Sequence, residues 1–201
     1  MFDVTVRFNI DDLRGKLNAI KDGLGDRAVV SALNKTVNQS KTRMSEAIRA
    51  DYNISASLVR ERLRIRKATK NGFATFTALL IGNPETGGGK RSMNLIHFME
   101  RKVTLAEGRR RLKAGTRAEL HFKVRKAGGK DMLPGAFVGN QGRTVFIRTG
   151  KSRLPIKAVR TIGVPQMFST KKNIRNIMDW IKVKFPTIME HEATYFLSKI
   201  K

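Results

Sequence analysis

The sequence predicts an α+β fold in which a mostly antiparallel sheet packs against a long N-terminal helix and is followed by C-terminal helices. Apolar residues recur every three or four positions over residues 26–50 and again from Ile174 to Ile181. Between these stretches, several short segments alternate apolar and polar residues, which is typical of half-buried strands. The 201 residues are expected to form one domain, 1–201.

The N-terminal elements are expected in the order strand, helix, long helix. Apolar residues alternate over residues 2–8, which predicts a strand, and Asp11 and Asp12 then open a short helix. Asp26 is a plausible N-cap for the long helix, which is expected to end near residue 50. Ser55 is expected to cap a further helical turn through Val59.

A β-hairpin with a basic outer face is predicted next. Leu63 and Ile65 point one way and the arginines of residues 62–66 the other, while Asn71 and Gly72 suit a tight turn before an apolar strand over 73–81. Residues 82–118 form a basic loop region that contains a short, weakly predicted helix through Lys113. Residues 120–124, 136–138 and 144–148 read as strands.

The C-terminal region, about residues 167–200, is expected to be helical. Residues 154–156 and 164–165 are predicted to be extended, and Pro186 is expected to break the helical pattern before a final helix.

The charge of the chain predicts an anionic partner, with a merely solvated basic face as the alternative. Lys and Arg number 41 against 16 acidic residues, so the formal charge is +25, and like charges repel in a compact state. Nucleic acid, a lipid surface and an acidic protein all fit this charge. No secretion signal or membrane-spanning run is evident, so a membrane location is not expected, and without cysteine no disulfide or thiolate site is available.

Each candidate catalytic motif in the sequence lacks a residue that its chemistry requires. The stretch GNPETGGGKRS resembles a phosphate-binding loop, but Pro84 and Arg91 stand where a glycine and a magnesium-binding hydroxyl are needed. His97, His121 and His191 have no metal-ligand spacing, and Ser169 with Lys172 reads better as a helix cap than as a nucleophile pair. We therefore expect no catalytic residue, no metal site, no cofactor and no enzymatic activity.

The basic residues are concentrated rather than evenly spread. Residues 101–130 hold eleven Lys or Arg against two Glu, a local net charge of +9 with few aromatic side chains. Such a surface suits sequence-independent contact with duplex phosphates or contact with an acidic protein. The residues expected to make these contacts are Arg109, Arg110, Arg111, Lys113, Lys90, Arg91, Arg62, Arg64 and Arg66.

Scattered segments resemble the prophage minor tail protein Z family, the tail completion proteins of long-tailed phages. The similar segments are residues 27–36, 52–55, 58–63, 136–137, 146–148, 150–151, 153–156, 164–168 and 190–192. The run 153–168 carries the most specific part of the resemblance. It implies a virion structural protein that acts at the head-proximal end of the tail and is made in the host cytoplasm.

The resemblance also implies a cyclic homo-oligomer on the tail axis, with six subunits the expected number. The expected partners are other copies, neighbouring tail and head-connector proteins, and genomic double-stranded DNA. Subunit contacts are predicted at Leu154, Pro155, Ile156, Pro165, Met167 and Phe168. Ordinary core packing is the alternative for the apolar residues Leu154, Ile156, Val164, Met167 and Phe168. The alternative function is a sequence-independent DNA- or RNA-binding protein.

Overall fold

A computed structural model of the chain describes residues 10–20, 23–71, 75–82, 92–100, 105–114 and 120–199. The predicted α+β class is confirmed: two long helices and several small antiparallel sheets account for the described architecture. The predicted strand over residues 2–8 lies outside the described residues.

The N-terminal helices are α1, Asp11–Ile20, and α2, Leu24–Asp51. The predicted cap of α2 is wrong, because the helix begins after Gly23, whose φ of 71° turns the chain between the two helices. Asp26 instead lies in the first turn, where its carboxylate accepts a hydrogen bond of 2.6 Å from Arg14 of α1. A Cβ atom at Gly25 would lie 2.5 Å from the Arg14 carbonyl oxygen, so glycine permits this close helix crossing.

Helix α3, Ala56–Arg62, begins at the predicted cap, because the Ser55 hydroxyl accepts from the Leu58 amide. Strand β1, Leu63–Asn71, then pairs antiparallel with β2, Thr75–Gly82, which confirms the hairpin. Asn71 pairs with Thr75 and is therefore the last strand residue, not a turn centre as predicted. A bulge at residues 67–68 is held by Asn34 of α2, whose side chain accepts from the Ala68 amide at 2.7 Å.

The middle of the chain forms three further sheets. Strand β3, Ser92–Asn94, pairs with β9, Arg160–Ile162, and leads into a 3₁₀ turn, Leu95–Phe98. Helix α4 covers Leu105–Lys113. The remaining strands are β4, His121–Phe122, β5, Asp131–Met132, β6, Phe137–Gly139, β7, Thr144–Arg148, and β8, Ile156–Ala158. They form the pair β4–β5 and the three-stranded sheet β6–β7–β8.

Two predictions about prolines in the C-terminal region are wrong. Pro165 is not extended but lies in the first turn of α5, Val164–Phe168, where its lack of an N–H costs nothing. Pro186 lies inside α6, Lys171–Ser198, which continues without the expected break. The helix continues because Phe185 and Met189 on either side of the proline are buried in the core. The predicted cap near Ser169 is confirmed one residue later, where Thr170 accepts from the Asn173 amide.

The described residues form three hydrophobic clusters. The first joins the second half of α2 to the hairpin, α5 and the start of α6, with Phe98 and Phe168 fully buried. The second joins α1, the first half of α2 and the second half of α6 around Phe185. The third lies under β4 and the β6–β7–β8 sheet around Phe122 and Val145. Each large side chain buried in this way contributes about 1.5–3 kcal/mol to folding.

Candidate basic interface

Helix α4 presents three of its four predicted contact residues to solvent. Arg109, Arg110 and Lys113 are exposed and lie within one arc of the helix, since positions three and four apart share a face. Arg111 points elsewhere and is paired with Glu107 at 2.5 Å, so its charge is already balanced within the subunit. The open positive charge of α4 therefore comes from Arg109, Arg110 and Lys113.

Strand β1 carries a second basic surface. Arg64 and Arg66 are exposed on its outer face, whereas Leu63 is buried on the inner face, as the alternation predicts. Arg62 is the last residue of α3 and is half-buried, so its predicted place on the outer face of the strand is wrong. Helix α3 runs three residues further than Val59, and this extension takes Arg62 out of the strand. Lys90 and Arg91 lie outside the described residues.

The structure divides the predicted subunit-contact residues into two groups. Leu154, Pro155 and Ile156 are exposed and open to a neighbour. Pro165, Met167 and Phe168 are buried, and the last two belong to the first hydrophobic cluster, where α5 packs against the end of β2 at Gly82. A contact role for these three is therefore corrected to core packing, because their side chains are enclosed by their own subunit.

The outer face of the β6–β7–β8 sheet carries two half-buried phenylalanines, a feature not predicted from the sequence. The rings of Phe137 and Phe146 stack at a centroid distance of 6.0 Å, and the Arg148 guanidinium lies 5.2 Å from the Phe137 ring. Alternation identified these strands, but it does not say which face a neighbouring layer covers.

A buried ionic cluster joins α2 to α6. Glu192 is 1% exposed and accepts hydrogen bonds from Ser31 at 2.5 Å, from Lys35 and from His191 at 3.2 Å. Burial raises the pKa of the Glu192 carboxyl, but the three donors and the Lys35 charge together outweigh it and leave the pKa below its ordinary value. Glu192 is thus held as a carboxylate and fixes the two long helices together. In the sequence it resembles any polar helix residue, so only the pairing of the helices reveals it.

The described residues show neither a group of metal ligands nor a helix that could span a membrane. Among the described residues, no three His, Asp or Glu side chains are grouped so that they could hold a metal ion. None of the helices in that part of the chain has the length and apolar content needed to cross a membrane.

The fold and these surfaces define a small α+β protein with exposed basic side chains on α4 and β1. Comparison with known proteins identifies the class. The family described as "Prophage minor tail protein Z (GPZ)" matches residues 11–200. A protein named "Tail completion protein" from Escherichia phage N15 is 27% identical over 168 residues, which are 81% of this chain and 82% of that protein. No solved structure matches the chain. The chain belongs to the prophage minor tail protein Z family and is a phage tail protein.

Proposed function

We propose that this tail protein completes the tail and helps to join it to the DNA-filled head. The single observation that carries the proposal is the family match over nearly the whole chain. The name of the relative from phage N15, which aligns over most of both chains, supports the same role.

Within this role, the protein acts as a ring on the tail axis, with six copies as the expected number. A ring places the same basic surface at every subunit position around the axis, so that local charges add into one positive band. The net charge of +25 per chain supports this arrangement, because packaged DNA and acidic connector surfaces are both anionic. Positive charge at the axis would hold the end of the DNA at the joint.

The role of α4 in DNA retention is tested by replacing Arg109, Arg110 and Arg111 with Ser in the phage. We expect tails of normal length, because elongation does not use this surface, and particles that lose DNA about ten-fold more often. Each phosphate contact removed should also lower the salt dependence of DNA binding. Tail length is measured by electron microscopy, and DNA retention by nuclease-protected DNA per particle.

Two further variants make this test decisive. Replacing Arg109, Arg110 and Lys113 keeps the Arg111–Glu107 pair and separates charge loss from damage to the helix. Replacing three exposed residues of α6, Lys171, Lys182 and Lys184, removes the same charge elsewhere and should leave retention unchanged. Normal head joining, DNA retention and infectivity in both α4 variants would reject the basic ring surface. Normal infection by phage that lack the whole protein would reject tail completion itself.

A further inference from the structure

We propose that the outer face of the β6–β7–β8 sheet binds an acidic protein segment that carries apolar side chains. The proposal rests on the proposed function in that such a segment would belong to a neighbouring protein of the tail or connector. The register of the sheet, the exposed apolar groups and the absence of Asp and Glu from residues 132–178 carry it.

The register shows which side chains share the outer face. Directly paired residues of an antiparallel sheet lie on one face, and the pairs are Phe137 with Phe146, Phe146 with Ala158, and Arg148 with Ile156. Val145, on the opposite face, is fully buried in the third hydrophobic cluster. The sheet therefore covers the core with one face and turns the phenylalanines outward.

The outward apolar side chains are half-buried or exposed. Phe137 and Phe146 belong to none of the three hydrophobic clusters formed by the described residues. Ile156 of the same sheet is 39% exposed, and Leu154, two residues earlier in the chain, is 66% exposed. Exposed apolar side chains among charged residues suit contact with another protein.

The charges around the face select an acidic partner. Residues 132–178 contain no Asp or Glu. The Lys and Arg side chains of residues 143–160 are all exposed, and they are Arg143, Arg148, Lys151, Arg153, Lys157 and Arg160. An apolar segment without carboxylates would leave the positive potential of these cations unmatched. Asp and Glu side chains around an apolar centre would complement that potential.

A second copy of the chain does not supply such a segment from its described surface. Its exposed carboxylates are scattered, and Asp12, Glu46 and Glu100 already pair with Lys16, Arg43 and Lys130 of their own subunit. The sequence predicts contact of Leu154, Pro155 and Ile156 with another copy, but another copy carries 41 Lys and Arg against 16 Asp and Glu and so offers few carboxylates to match the cations here. The charges favour a different protein at this face.

Nucleic acid is also a poorer match for this face. Arg148 lies over the Phe137 ring, where a base would have to stack, and the exposed side chains of Leu154 and Ile156 are aliphatic and offer no stacking surface. Phosphate would pair with the cations but would leave Leu154 and Ile156 in contact with a charged backbone. An acidic protein segment can engage both kinds of group at once.

Two synthetic peptides of equal length and equal acidic charge test the proposal with the full-length protein. In one, Leu and Phe alternate with Glu; in the other, Ser replaces Leu and Phe. We expect the apolar acidic peptide to bind at least about ten-fold more tightly, as measured by fluorescence anisotropy. The double variant Leu154→Ser/Ile156→Ser should remove most of this difference and leave binding of the polar peptide unchanged.

Controls separate local contact from general charge. Val183 is 71% exposed and lies between Lys182 and Lys184, so Val183→Ser alters an exposed apolar residue among cations elsewhere and should change neither affinity. Lys151→Gln/Arg153→Gln should weaken binding of both peptides. Thermal unfolding checks that the Leu154 and Ile156 variant folds like the wild type.

The outcomes that overturn the proposal are distinct. Equal affinity for the two peptides, or no effect of the Leu154 and Ile156 variant, would show that only charge matters. Displacement of the apolar peptide by duplex DNA from wild type and variant alike would assign the face to nucleic acid. An oligomer that falls apart in the variant, seen by light scattering, would assign it to a second copy. None of these results depends on the infectivity assays, so failure of this inference and failure of tail completion can be told apart.

Discussion

Glu192 is buried between the two longest helices, so the balance of its interactions can be tested by removing either partner. Lys35→Met should destabilise the fold by about 3 kcal/mol, because it leaves a buried carboxylate without its cation. Glu192→Gln should cost less, about 1.5 kcal/mol, because the remaining Lys35 charge is 51% exposed and can be hydrated. Chemical denaturation measures both free energies of unfolding. Lys16→Met, which removes an exposed pair with Asp12, is the control and should cost almost nothing. A larger loss in Glu192→Gln than in Lys35→Met would contradict this account.

The same carboxylate predicts a dependence on pH. The folded pKa of Glu192 is below its unfolded value near 4.5, so the folded protein holds this proton less tightly than the unfolded chain. The contribution of Glu192 to stability is then complete above that unfolded value and is lost as pH falls through the folded pKa. The difference in unfolding free energy between wild type and Glu192→Gln should stay constant near neutrality and shrink on acidification below pH 4.5. A difference that grew in acid would mean that the pKa is raised instead.

At the scale of elements, α6 shows core packing overcoming the tendency of a proline, Pro186, to break a helix. A proline inside a helix removes one hydrogen bond and crowds the preceding turn, yet here the helix continues because its flanking residues are held in the core. Since Pro186 is itself exposed, Pro186→Ala should stabilise the protein by about 2 kcal/mol. Thermal unfolding measures the change, with Thr187→Ala as the neighbouring exposed control, expected within about 0.5 kcal/mol of wild type. A destabilised Pro186→Ala protein would show that the packing of α6 depends on the proline.

Local patterns predicted those elements whose signal is contained in a few adjacent residues. The Ser55 cap, the alternation of Leu63 with Arg64, and the hairpin are of this kind. Features that depend on distant partners were missed. The Asn94 side chain bonds to both backbone groups of Val145, 51 positions away, and no spacing rule encodes such a contact. The basic residues of α4 stand out in the sequence by their charge alone, and their contacts stay a prediction, whereas the outward phenylalanines needed the register of three strands.

At the scale of the whole molecule, the charge of +25 should make the stability of the isolated protein depend on ionic strength. Self-repulsion should lower the stability of the isolated subunit at low salt, where the screening length is about 30 Å at 0.01 M, and relax as it shortens to about 3 Å at 1 M. The midpoint of thermal unfolding should therefore rise with sodium chloride. Light scattering over the same series, with and without duplex DNA, records the mass. A midpoint that fell with salt would mean that ion pairs such as Lys35–Glu192 outweigh repulsion.

A subunit that binds DNA strongly at low salt but assembles with no partner would favour a free nucleic-acid-binding protein. A discrete oligomer, or a monomer indifferent to DNA, would place the neutralising charge on the protein neighbours of the tail.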